Sequence, residues 1–93
     1  MIVGVLRIEL SIGEAHSLKD KRRVIKSIKE RLGNTFNVSV AEVDALDAWQ
    51  RAVIGIALVA NESRFVRSCL DKIIDWVRKQ HTVVVIGYET EVF

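Results

Sequence analysis

Apolar and polar positions alternate from the first residues of the chain. Ile2, Gly4, Leu6, Ile8, Leu10 and Ile12 fall on one side of an extended backbone, and Val3, Val5, Arg7, Glu9 and Ser11 on the other. Period two with one apolar face predicts a half-buried strand. The loop Gly13-Glu14-Ala15-His16 leads into Ser17-Leu18-Lys19-Asp20, a serine followed by an acid at capping-box spacing, which predicts a helix start. Apolar residues then recur at helical spacing (Leu18, Val24, Ile25, Ile28, Leu32), and Gly33-Asn34 supplies a stop signal. Phe36, Val38 and Val40 alternate with Asn37 and Ser39 as a second strand, which Asp44-Ala45-Leu46-Asp47-Ala48 interrupts. A third strand, Arg51 to Ala60, carries Ala52, Ile54, Ile56 and Leu58 on its larger face and the small Gly55 and Ala57 on the other. Asn61 to Ser63 can cap a second helix running to about Gln80, with a stripe of Val66, Cys69, Leu70, Ile73 and Val77. The β-branched run from Thr82 to Tyr88 predicts a last strand.

The order β-α-β-β-α-β, with each helix able to cover one sheet face, predicts an α+β class and the ferredoxin-like split βαβ arrangement. That is a four-stranded antiparallel sheet with both helices on one face and the other face open. The expected core sets Leu18, Ile25, Ile28, Leu32, Val66, Leu70, Ile73 and Val77 against Leu6, Ile8, Ile54 and Ile56. A length of 93 residues and the lack of any interior linker predict a single domain over residues 1–93.

Composition narrows the class without giving a function. At 49% hydrophobic and 28% charged, with no proline, the chain is neither a disordered tail nor a low-complexity linker. Its longest uncharged apolar run, Ala52 to Ala60, is far short of the roughly 20 residues that span a bilayer, so no membrane association is expected. No basic region precedes the apolar start, and the lone Cys69 has no partner for an internal disulfide. A cytoplasmic protein without a signal peptide is the expectation.

Charge changes the picture. Residues 17–34 hold seven bases and two acids and are +5, whereas the whole chain is +2 and the remainder therefore −3. On a helical wheel, Lys19, Arg22, Arg23 and Lys26 follow i, i+3, i+4, i+7 spacing on one exposed face, and Lys29 extends the basic surface by one turn. Arg31 points elsewhere, and Lys21 falls near the buried stripe, where its stem would have to snorkel. A row of cations at one-turn spacing matches phosphate oxygens and favours RNA or a ribosomal subunit as partner. The same row also fits a plain solvated helix face.

The open sheet face should carry Val3, Val5, Arg7, Glu9, Val53, Gly55, Ala57 and Val59. With no aromatic among them, base stacking of the kind RNA-recognition motifs use is disfavoured. A smooth apolar face suits pairing with a second copy instead, so Val3, Val5, Val53 and Val59 form a candidate homodimer interface. Trp49, beside Gln50 and Arg51, is a further interface or stacking candidate, or else folds back over its own hairpin. Glu42, Asp44 and Asp47 near it suit a solubilising patch better than a metal site, because calcium loops need denser oxygen ligands. His16 and His81 lack a second metal-type ligand at the right spacing and are expected in loops or caps. Cys69 is expected to be a buried thiol, and Phe65 and Trp76 to be core or rim. No phosphate loop, dinucleotide fingerprint or Ser/His/Asp pattern is present. Acylphosphatases share this element order, but Ser11-Ile12-Gly13-Glu14-Ala15-His16 does not reproduce their phosphate loop. A binding module without cofactor, metal or catalytic residues is therefore expected.

Three blocks carry a resemblance over nearly the whole chain. Ser17-Leu18-Lys19-Asp20-Lys21-Arg22-Arg23, then Phe36-Asn37-Val38-Ser39-Val40-Ala41-Glu42-Val43, then Trp49-Gln50-Arg51-Ala52 resemble the YlxP-like family, small bacterial proteins also described as domain of unknown function 503. Asp20 stands where glutamate is commoner. The resemblance implies a ferredoxin-like fold and a cytoplasmic protein with no catalytic residues to carry over. Members are often encoded near translation-initiation and ribosome-maturation factors, which favours RNA or ribosome contact.

Overall fold

The computed structural model describes residues 1–93. Six elements follow in the order β1 (Ile2–Ser11), α1 (Leu18–Thr35), β2 (Ser39–Asp44), β3 (Arg51–Ala60), α2 (Ser63–Arg78) and β4 (Val84–Val92). The strands form one antiparallel sheet in the order β2-β3-β1-β4. This is the ferredoxin-like α+β arrangement, with β1 and β3 at the centre and β2 and β4 at the edges.

Strand register sets which side chains meet. Leu6 opposes Ile56 and Ile8 opposes Ile54, so the apolar sets of β1 and β3 share one face. Ile25, Ile28 and Leu32 of α1 and Val66, Leu70, Ile73 and Val77 of α2 complete a single buried cluster on that face. Both helices therefore cover the same side. Leu18 is half-buried at the helix entrance instead of joining the core. Cys69 is likewise half-buried, at the margin of the cluster and not inside it.

Gly4 fixes how closely α2 can approach. A Cβ at this position would overlap Val66 Cγ1, so the helix sits directly on the β1 backbone there. That close approach needs a residue without a side chain.

Three element boundaries differ from the sequence expectation. Helix α1 runs through Gly33 and Asn34, because Gly33 keeps a negative φ and makes no left-handed cap. It stops when Phe36 turns extended and packs against the core, with its N–H still bonded to Leu32 O at 2.8 Å. Thr35 Oγ1 donates to the Arg31 carbonyl and satisfies another terminal acceptor. Strand β2 begins only at Ser39, where pairing to Ala57 starts, and continues to Asp44. Strand β4 begins later than expected and runs on to Val92, because Glu89-Thr90-Glu91 lie on an edge strand whose polarity hides it in the sequence. Its end is closed by reciprocal backbone bonds between Val3 and Phe93.

Candidate nucleic-acid interface

Helix α1 is started by its own polar side chains. Ser17 Oγ accepts the Asp20 N–H at 3.0 Å, and Asp20 Oδ2 accepts the His16 N–H at 3.1 Å. The shorter aspartate thus reaches the residue before the cap. From this start the helix turns Lys21, Ile25, Ile28 and Leu32 inward together.

Lys21 does not snorkel. Its side chain is 0% exposed, and Nζ meets the carbonyls of Ala45 at 2.9 Å, Leu46 at 3.1 Å and Arg51 at 3.4 Å. Glu42 Oε2 stands 2.8 Å away. Four acceptors surround an ammonium with three protons, so the carboxylate is held as an ion-pair partner without the alignment of a hydrogen bond. The cause lies in the turn after β2. Ala45 adopts φ 55°, its N–H bonds Asp44 Oδ1, and its carbonyl turns toward α1. A left-handed non-glycine residue costs about 1–2 kcal/mol, which the ammonium's bonds offset. Gln50 ties the other end of the same loop by donating to the carbonyls of Gly13 and Ala15.

With Lys21 withdrawn, the surface charge of α1 divides between two flanks. Arg22, Lys26 and Lys29 line a groove of about 470 Å³ between α1 and β2, with Ile25, Glu30 and Glu42 completing it. Arg23 lies on the other flank, in a hollow shared with Glu14 and Asp20. Lys19 is exposed and lines neither. The structure thus brings Arg22, Lys26 and Lys29 together and leaves Lys19 and Arg23 beside them. Arg31 serves the fold instead: it bonds Ser27 and Gln80, and its guanidinium sits 5.4 Å from the Trp76 ring centroid, joining α1 to α2.

The acidic residues expected as one patch separate. Glu42 faces the helices. A register shift between Glu42 and Asp44 then turns Val43 over Gly55 and aligns Asp44 beside Val53 on the open face. Arg7 of β1 reaches across β3 to Asp44 at 3.1 Å, and Arg51 bonds Glu9 at 2.6 Å. The Glu9 hydrogen bond and charge raise the Arg51 pKa above its ordinary value.

The exposure of the open face corrects the expected interface. Val53 is 0% exposed, flanked in register by Glu9 and Asp44, and offers no surface to a partner. Val59 is 62% exposed and lies opposite Val3, with Val5 half-buried beside them. Trp49, 54% exposed, neither folds back nor joins them. It sits in the loop before β3, whose first residue, Arg51, is itself eight strand positions or roughly 26 Å from Val59.

Lys21 and Glu42 were the residues whose roles the sequence left hidden. The signal was nonetheless present: Lys21 is one helical repeat before Ile25, and Glu42 shares the parity of Val38 and Val40. A base on an inward helical position and an acid on an inward strand position point to a pair.

No helix is long and apolar enough to cross a membrane. The family model described as "Protein of unknown function (DUF503)" matches residues 3–90. Over 60 residues, 64% of this chain and 65% of the relative, the sequence is 45% identical to the "Uncharacterized protein YlxP" of Bacillus subtilis (strain 168).

Proposed function

Since the chain belongs to the DUF503 family, whose description names no activity, we propose from its own surface that it is a cytoplasmic RNA-binding module that docks α1 on phosphate. The observation that carries this reading is the groove in which Arg22, Lys26 and Lys29 converge. Lys21 cancels Glu42 from within, so the groove keeps its three cations against the single remaining acid Glu30. Cations at i, i+4 and i+7 span about 10 Å along a helix, enough for successive phosphates of one strand. Lys19 and Arg23 flank the groove and extend the positive field. Such a surface binds and positions the backbone without reading sequence and performs no chemistry.

Pairing of two copies through the open face draws less support. Val53 is covered and Trp49 is remote, which leaves Val3, Val5 and Val59 as the available part of that candidate.

Charge reversal tests the RNA reading. Arg22→Glu with Lys26→Glu should remove most binding to short single-stranded RNAs and to ribosomal subunits while the circular dichroism spectrum stays that of the parent. Undiminished binding by the double variant would return the basic row to a solvated helix face.

A further inference from the structure

Glu42 is an odd residue to find in a cationic groove. Its side chain keeps 14% exposure and lines the groove, and Oε2 is buried against Lys21. No other group of the chain bonds Glu42 at hydrogen-bond distance, and a carboxylate has about four lone-pair sites to offer. Lys21 matches its charge, but its second oxygen remains an acceptor that phosphate oxygens, acceptors themselves, cannot satisfy. A ligand that fits must therefore bring anionic oxygens to Arg22, Lys26 and Lys29 and a hydrogen-bond donor to Glu42. With one oxygen committed to Lys21, the second suits a single donor and not the paired N–H groups of a base edge. A ribose 2′-hydroxyl between two phosphates is such a donor, and it is the group by which a site tells RNA from DNA. Carboxylates serve ribose hydroxyls in the same way in dinucleotide-binding folds. The groove volume of about 470 Å³ lies within the range of roughly 300–1,000 Å³ usual for small-ligand sites, so one phosphate–ribose–phosphate unit has room.

We propose that the α1–β2 groove selects ribose, with Glu42 accepting a hydrogen bond from a 2′-hydroxyl while Arg22, Lys26 and Lys29 hold the flanking phosphates. Lys21 is the positioning residue, since its ammonium fixes the carboxylate and cancels its charge. The inference rests on the RNA reading of the groove and adds selectivity to it.

The test compares a short unstructured RNA with its 2′-fluoro counterpart and the matching DNA. The 2′-fluoro strand keeps the ribose pucker of RNA but has no hydroxyl proton to donate. RNA is expected to bind about tenfold more tightly than either, the scale of one hydrogen bond to a charged group. In the paired variant Lys21→Met with Glu42→Leu, which replaces the ion pair by apolar groups of similar volume, that preference should vanish while the salt dependence persists. The ligand comparison on the parent protein decides the matter even where the variant folds poorly. Equal binding of all three strands, with steep salt dependence, would overturn ribose selection and leave phosphate docking standing. No binding of any strand would remove both. Competition by adenosine monophosphate at the same concentration as RNA would overturn a strand as the ligand.

Discussion

The Nζ of Lys21 lies 2.8 Å from Oε2 of Glu42, beneath a helix whose other basic residues face outward or join it to α2. The contact ties α1 to the edge strand β2, and three backbone carbonyls extend the tie to the β2–β3 loop and the start of β3. One lysine of the basic segment therefore belongs to the fold, while its sequence neighbours remain free for a ligand.

Lys21→Met alone should be strongly destabilising. It leaves the buried oxygen of Glu42 without its counter-charge and the loop carbonyls without a donor. Breaking a buried pair from one side costs about 3–5 kcal/mol, and about 4–8 °C of melting temperature accompanies each kcal/mol in a domain of this size. A drop of at least about 10 °C is expected in thermal unfolding followed by circular dichroism. Arg22→Ala, which removes an exposed side chain, should stay within about 0.5 kcal/mol of the parent.

Gly4→Ala should cost about 1–3 kcal/mol, because the new methyl overlaps Val66 and α2 must lift from β1. Val66→Ala leaves a cavity of its own. Combined, the two changes should be less harmful than their sum, the mark of two groups competing for one space. Chemical denaturation of the four proteins in the cycle measures this coupling, and simple additivity would contradict the packing described.

Much of the fold was legible because two periodicities carried it. Leu6, Ile8, Ile54 and Ile56 kept period two, while Ile25, Ile28, Leu32, Leu70 and Ile73 kept helical spacing. The ends were less legible, since they depend on partners distant in sequence. Phe36 leaves the helix to reach the core, and the polar end of β4 is a strand only because β1 pairs with it. The site was legible in charge but not in grouping. Which cations share a groove depends on the position of β2, and the burial of Val53 on a central strand depends on its pairing with Glu9 and Asp44, partners distant in sequence.

Val53→Asp and Val59→Asp should separate sharply although both lie on the open face of β3. At the covered Val53, a carboxylate beside Glu9 and Asp44 has no cation to itself, and loss of several kcal/mol is expected. Val59→Asp should fold like the parent and bind RNA equally well, because it lies on the side of the sheet away from α1. Melting curves and RNA titrations on both variants check this, and weakened RNA binding by folded Val59→Asp would place the contact on the wrong face.

The salt dependence of RNA binding tests the phosphate docking of α1 most directly. Three groove cations on a single strand should give a slope of about −2 for log affinity against log salt, and each flanking cation that engages should steepen it by about 0.7. Lys29→Gln should flatten the slope by about the same 0.7 and weaken binding alike for every RNA sequence tried. A slope near zero, or one that Lys29→Gln leaves unchanged, would contradict the docking of this groove on phosphate.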